Sequence, residues 1–374
     1  MIELHETTLG ELIRFYNGKS IKPGGDGRYL VYGSNGVIGN SDEYKYEDAI
    51  IIGRVGAYCG SIEYCNDQFW ASDNTIVAKP IPEQLDIRFS KYFLKHLNLN
   101  RWAGGAAQPL MTQTVLKSIS VSIPDLRNQI VVGKILSAFD DLIENSTRRI
   151  QLLEEMAQRI YREWFVHFRY PGHEKDNLVD SGTEMGMIPE GWEVTNVGEL
   201  LQKVERKKKI KKQNYLSEGN IPVIDQGRDF IGGYTSDGDG RFTSPLPIIV
   251  FGDHTRILKF INFTFACGAD GTQLLLSNNV RMPMTLFYQS LKQIDLSNYA
   301  YARHFKFLKA EKLTLPSMEI SSSYNEMALP VYAQIQVLRN ETDVLRKTRD
   351  LLLPKLISGQ IDVSDLDIDM GDLS

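Results

Sequence analysis

The feature that most constrains this chain is that it repeats itself. Leu9-Gly10-Glu11-Leu12 recurs as Val197-Gly198-Glu199-Leu200, 188 positions later, and Ile50-Ile51-Ile52-Gly53 as Ile249-Val250-Phe251-Gly252 at a shift of 199. Ile38-Gly39 returns as Ile231-Gly232 (193), Asp73-Asn74-Thr75 as Asp270-Gly271-Thr272 (197), Leu116-Lys117 through Pro124 as Leu308-Lys309 through Pro316 (192), and Asn145 as Asn340 (195). Each match alone is weak. Six in one order, with shifts drifting only as loop insertions would make them, argue duplication. One fold must therefore serve twice.

Each copy ends in a run with helical period. From Gln129 to about Phe165 there is no proline, and no glycine follows Gly133. Apolar residues fall at 132, 135, 139, 142, 150, 153, 157, 160 and 164, with Ser146 between Leu142 and Ile150. That is a heptad seam with one stutter, where a supercoil relaxes. A second run opens with Pro330 near a first-turn position and places Val331, Ile335, Leu338, Leu345, Leu352 and Leu356 on a similar stripe. Either helix alone leaves a wet apolar face, so the two are expected to pair antiparallel as a coiled coil.

The intervening blocks, rich in glycine, aromatic and β-branched residues, alternate short apolar runs with turn signals such as Gly24-Gly25-Asp26-Gly27 and Ser236-Asp237-Gly238-Asp239-Gly240. The expected class is α+β: two similar α/β modules separated by two long antiparallel helices, with a pseudo-two-fold internal repeat. The divisions are a first module at 1–124, a first spacer helix at 125–170, a linker at 171–187, a second module at 188–316, and a second spacer helix with an acidic tail at 317–374. A helix of 30 residues is about 45 Å long, and one turn of B-DNA about 34–36 Å. The spacer is thus of the right order to set two modules on separate half-sites of one duplex.

Charge sharpens this. The chain totals −5, yet residues 188–316 hold 17 Lys and Arg against 13 Asp and Glu. The run Lys203-Val204-Glu205-Arg206-Lys207-Lys208-Lys209-Ile210-Lys211-Lys212 concentrates that excess; an anionic partner would relieve its self-repulsion, and phosphate contacts would make binding fall with salt. The candidate contacts of the first module are Lys19, Lys22, Arg28, Asn35, Arg54 and Tyr58, with Gln108, Thr112 and Gln113 in a small-residue loop. Those of the second are Lys207, Lys208, Lys209, Lys211, Gln226, Arg228, His254, Thr255 and Arg256. Arg and Asn or Gln bridge guanine and adenine edges with paired hydrogen bonds; the same residues are ordinary in loops.

Catalytic signatures are decoys. Asn17-Gly18-Lys19-Ser20 ends like a phosphate loop, but Ile13 stands where its first glycine belongs. Gly33-Ser34-Asn35-Gly36-Val37-Ile38-Gly39 is not the dinucleotide spacing and reads as a turn. Cys59 and Cys65 stand six apart without a second pair, so buried thiols, not zinc, are expected; His167 and His173 read as capping or surface residues. Three cysteines and the absence of an 18-residue apolar window suit a cytoplasmic protein with no membrane span. No catalytic residue, metal site or cofactor is expected in this chain.

Several strings resemble the specificity subunits of type I restriction-modification enzymes: Ile188-Pro189-Glu190-Gly191-Trp192-Glu193 before Val197-Gly198-Glu199-Leu200, the stretch Gly105 to Pro124, and Leu351-Leu352-Leu353-Pro354-Lys355-Leu356-Ile357-Ser358-Gly359-Gln360-Ile361. The resemblance covers essentially the whole chain. It implies two target recognition domains reading a split sequence in double-stranded DNA, with the paired helices fixing the unread gap. It also implies two methyltransferase (M) subunits and restriction/translocase (R) subunits as partners, to which S-adenosylmethionine, ATP and Mg would belong. The first module lacks the Pro-x-Gly-Trp lead-in. The second has Asn298-Tyr299-Ala300-Tyr301-Ala302-Arg303-His304-Phe305 where the first has its Gly-Ala-Gln loop, so contacts do not transfer between halves. The competing readings are a coiled-coil adaptor with no DNA role and a divergent stand-alone nuclease or methyltransferase.

Overall fold

The computed structural model describes residues 3–105, 108–205, 207–269, 271–299 and 303–366. Ala106, Ala107, Arg206, Asp270 and Ala300-Tyr301-Ala302, which figure in the motifs above, lie outside the described residues. The chain divides into two compact units: residues 1–146 with 341–374, and residues 147–340. Each combines one sheet module with part of both long helices.

Unit 1 runs β1 (Leu4–Thr8), α1 (Leu9–Leu12), β2 (Ile13–Asn17), β3 (Tyr29–Gly33), β4 (Gly36–Ser41), β5 (Tyr46–Gly53), β6 (Ile62–Ala71), β7 (Thr75–Pro80), α2 (Ile87–Leu97), α3 (Gln113–Ser118), β8 (Ser120–Pro124) and the start of α4 (Leu126–Tyr161). Six strands form one sheet in the order β2-β7-β5-β6-β3-β4, antiparallel except for the parallel pair β3·β6. The run of isoleucines in β5 explains its central place. Ile50 and Ile52 enter the larger core with Phe89 and Phe93 of α2, while Ala49 and Ile51 face a second core with Phe69 and Val77. Asp86 caps α2 by accepting from Phe89 N at 2.8 Å, and Asp125 caps α4 through Asn128 N at 2.8 Å. Buried Gln129 ties the two starts together, accepting from Asp86 N (3.0 Å) and donating to Pro124 O (2.8 Å).

Unit 2 continues with β9 (Leu178–Asp180), β10 (Met187–Pro189), β11 (Glu193–Asn196), β12 (Ile221–Ile224), β13 (Gly233–Thr235), β14 (Arg241–Phe242), β15 (Ile248–Gly252), β16 (Leu258–Ile261), β17 (Phe265–Cys267), β18 (Thr272–Leu275), α5 (Met284–Gln293), α6 (His304–Ala310), β19 (Lys312–Leu315) and α7 (Met318–Ile357). Its sheet is in two pieces, β13-β12-β17-β14 and β16-β15-β18. The ten-residue β6 of unit 1 serves both β5 and β3; in unit 2 its counterpart is interrupted at Asn262-Phe263-Thr264 into β16 and β17.

The repeat is carried by bonds as well as letters. Leu9 N donates to Ile119 O (3.0 Å) as Val197 N does to Glu311 O (2.9 Å). Glu11 accepts from the Thr7 hydroxyl (2.6 Å) as Glu199 does from Thr195 (2.8 Å). A Cβ on Gly10 would lie 2.9 Å from Lys117 O, and one on Gly198 3.0 Å from Lys309 O, so both close approaches favour glycine.

The helices pair antiparallel within each unit. In unit 1, Val131, Val132 and Leu136 share a core with Leu356, Ile357 and Val363, and Asp140 meets Arg349, Lys91 (2.6 Å) and the Tyr92 hydroxyl (2.7 Å). In unit 2, Glu154 pairs with Arg339 at 2.7 Å, and Trp164 and Phe165 pack on Tyr324. Two expectations are corrected. Leu142 is 54% exposed; Ile143 takes its place and Ser146 is itself buried in the seam. The second helix starts at Met318, not Pro330, because Tyr324 and Ala328 already bury a stripe before the proline. All three cysteines are free and buried.

Candidate nucleic-acid interface

In unit 1 the ends of β3 and β5 and the start of β7 converge. Arg54 N donates to Asn74 O (2.9 Å), and the Ser34 hydroxyl donates to the same oxygen (2.6 Å). The small-residue loop folds onto this corner: Met111 N donates to Arg54 O (2.8 Å), and Gly56 N to Pro109 O (3.0 Å). Asn35, Arg54, Tyr58 and Gln108 are thereby brought to one end of the sheet, with Tyr58 59% exposed. Lys19 lies beside the same turn, its backbone held by Ala71 O and by the Trp70 indole N–H (2.8 Å each). Arg28 belongs to the opposite end of β3, where it covers the Tyr29 ring, and Lys22 lies just before the Gly24↔Asn40 bridge to β4.

Two candidates are used inside the fold. The Thr112 hydroxyl caps α3 by accepting from Val115 N at 3.2 Å. The Gln113 amide donates to Phe15 O (3.1 Å) and accepts from Asn17 N (3.2 Å), fastening α3 to β2.

Unit 2 builds the same corner with other side chains. Asp253 N donates to Gly271 O (2.7 Å) and His304 N to Asp253 O (2.9 Å), the counterparts of the Arg54 and Met111 bonds. Gln226 accepts His254 N on its side-chain oxygen (3.1 Å), and its backbone oxygen accepts the Thr255 hydroxyl (2.7 Å). Gln226, His254 and Thr255 thus form one cluster, and Arg228 follows Gln226 two residues along the chain. Arg256 instead adopts a left-handed turn (φ 62°) and donates to Leu296 O (3.0 Å).

The lysine run is already partly paired. Lys208 meets Asp237 at 2.7 Å, a bond that raises the lysine's pKa and lowers that of the carboxyl. Lys207 meets Glu205 (2.8 Å), and Lys209 donates to Thr272 O (2.8 Å), while Lys211 is exposed.

Lys259, absent from the sequence candidates, underpins the unit 2 loop. Its side chain is 3% exposed, bonds Asp229 O and lies 3.8 Å from the Asp225 carboxylate; burial pushes its pKa down. The Arg339 guanidinium stacks 3.8 Å from the ring centre of Phe230, the residue after Asp229. A lysine inside β16 gives no sequence signal of its partner 30 residues away. Among the described residues no group of His, Cys, Asp or Glu is placed to hold a metal, and no helix is long and apolar enough to cross a membrane.

Comparison with known proteins agrees with this geometry. Residues 2–155 match the family model of the type I restriction modification DNA specificity domain. The chain is 23% identical over 285 residues, 71% of its length and 66% of the relative's, to the type I restriction enzyme MjaIX specificity subunit of Methanocaldococcus jannaschii. It is 29% identical over 154 residues, 39% of its length, to the EcoprrI specificity subunit of Escherichia coli, spanning 38% of that protein. Both alignments thus span less than two thirds of the relative. In fold it is similar to the crystal structure of the type I restriction-modification S subunit from M. genitalium, with a TM-score of 0.66 and 17% identity over 95% of this chain and 96% of that one. Each of these relatives is named as a specificity (S) subunit. Residues 2–155 thus match the type I restriction modification DNA specificity domain, and over most of its length the chain is similar to type I restriction enzyme specificity subunits.

Proposed function

We propose that the chain is the DNA sequence-recognition subunit of a cytoplasmic type I restriction-modification complex, reading a bipartite target with a fixed gap. The observation that carries this is the corner built twice. The backbone bonds at Arg54 and Asp253 are the same, while the side chains offered differ: Asn35, Arg54 and Tyr58 in one unit, Gln226, Arg228 and His254 in the other. Equal scaffolds with unequal polar tips are what reading two different half-sites requires. α4 and α7, of 36 and 40 residues, are the gap-setting spacer and the docking surface for two methyltransferase subunits, with restriction/translocase subunits joining them. S-adenosylmethionine, ATP and Mg belong to those partners.

Lysines bound to phosphate release counterions and add no sequence preference. Replacing Lys207, Lys208 and Lys209 by alanine is expected to weaken binding to every duplex alike and to lower the slope of log affinity against log salt by about 1–3. Unchanged affinity and slope in the assembled complex would remove the run from the interface. A coiled-coil adaptor would show no sequence-selective DNA shift with methyltransferase partners supplied.

A further inference from the structure

The edge strand of each sheet is covered differently. In unit 1, β2 pairs with β7 from Ile13↔Pro80 to Asn17↔Ile76, and Lys19 N then donates to Ala71 O (2.8 Å). In unit 2 the matching path starts at the Leu201↔Ser277 bridge and reaches the matching bond at Ile210 N to Cys267 O (2.9 Å). Six residue steps separate Ile13 from Lys19, and nine separate Leu201 from Ile210. The three extra residues lie in the lysine run. Pairing ends at Gln202 N to Leu276 O (2.8 Å), and among the described residues no strand covers β18 beyond it.

The bow leaves a cavity of about 520 Å³. Phe242, Leu274 and Phe305 give it apolar walls, and Lys203, Lys207 and Lys209 line it, with Glu205 the one carboxylate among the described lining residues. Thr272 lines it too. That residue is 1% exposed and its hydroxyl has no hydrogen-bond partner among the described residues, whereas the matching Thr75 donates to Ser72 O at 2.7 Å. A buried hydroxyl without a partner is unfavourable unless a ligand completes it. The cavity also adjoins the candidate interface: a Cβ on Gly271, next to Thr272, would lie 2.8 Å from the Gln226 amide nitrogen.

Cations beside aromatic and aliphatic walls, with one hydroxyl unpaired among the described residues, complement an anionic group joined to a flat heterocycle. We propose that this cavity holds one nucleotide unit, its phosphate on Lys203 and Lys207, its base against Phe242 and Leu274, and the Thr272 hydroxyl on the base edge. The ligand chemistry rests on the DNA-reading function above, and its source is a nucleotide turned out of the bound duplex or a free mononucleotide. Enzymes that take a base out of the stack show that the energy for the first is available from contacts of this kind.

Two arms separate the sources. Deoxyadenosine and deoxycytidine monophosphate are titrated calorimetrically into the full chain beside inorganic phosphate, and duplexes carrying 2-aminopurine at successive positions are read by fluorescence with methyltransferase partners supplied. The expected result is a mononucleotide bound about tenfold more tightly than phosphate, or a fluorescence rise at one position, either one reduced about tenfold by Leu274→Trp, which fills the cavity. Should that variant fail to fold, the double change Lys203→Glu and Lys207→Glu takes its place with the same expected loss. No signal in either arm, or a signal that the folded variant leaves unchanged, overturns the proposal. Duplex binding that keeps its salt dependence through such a failure leaves the DNA-reading function standing. A nucleotide bound by a chain that selects no duplex removes that function and keeps the cavity as a mononucleotide site.

Discussion

Unit 1 and unit 2 share backbone bonds and differ in continuity. In unit 1 one long strand, β6, joins both halves of the sheet, and β2 seals the edge at β7. In unit 2 the counterpart of β6 is cut at Asn262-Phe263-Thr264, and the counterpart of β2 bows off β18. Both differences lie in connecting chain, while the corner at Arg54 and Asp253 is unchanged. The duplicated module keeps the bonds that aim its loops and varies what lies between them.

The largest test of this contrast uses matched core residues. Phe69 in β6 and Phe265 in β17 are both fully buried, so Phe69→Ala and Phe265→Ala should each cost about 3–5 kcal/mol. Amide exchange should distinguish them. Phe69→Ala is expected to loosen the whole six-stranded sheet. Phe265→Ala should loosen β12, β14 and β17 most, and β15 and β16 less, since Phe265 also shares a core with Ile248, Val250 and Ile261. Exchange that rises equally in both pieces of unit 2 would show the break to be without mechanical meaning.

A smaller effect separates the helix contacts. Burial alone would raise the Asp140 pKa, but Lys91, Tyr92 and Arg349 hold it below the usual carboxylate range. A carboxyl lowered in the folded chain contributes stability above its unfolded pKa and loses it as pH falls through the folded value. Asp140→Asn should therefore cost about 2 kcal/mol at neutral pH, half-burial reducing the full value for a buried pair. The gap to wild type should close below about pH 4, read from the melting of unit 1. A constant gap from pH 7 to pH 3 would contradict the charge assignment.

The smallest test asks whether the copies are equal where they look equal. Gly10→Ala and Gly198→Ala each force a methyl against a lysine carbonyl and should cost about 1–2 kcal/mol apiece in thermal unfolding. A clear inequality would mean that one of the two approaches relaxes.

Much of this was legible in the sequence because it rests on residues with few substitutes. Gly10 and Gly198 mark a backbone contact that favours glycine, and Ile50 to Ile52 mark a strand buried on both faces. The seam was legible to within one residue: Leu142 and Ile143 are both apolar, and a helical period cannot choose between neighbours without the partner helix. The apolar stripe read from Pro330 onward misses the first turns of α7, whose buried face is carried there by Tyr324 and Ala328. Thr112 and Gln113 read equally as DNA contacts and as a cap and a clasp; hydroxyls and amides do both. The cavity at β18 was illegible, since its cause is a three-residue excess inside a run whose charge draws the eye.

The most direct test of the central claim is selection of bound duplexes from a random pool by the assembled complex, carrying either the wild-type chain or Arg228→Ala. The account predicts two short specified segments at a constant separation, with Arg228→Ala relaxing one segment and leaving the other and the spacing intact. One uninterrupted specified segment, or equal relaxation of both by the single change, would contradict it.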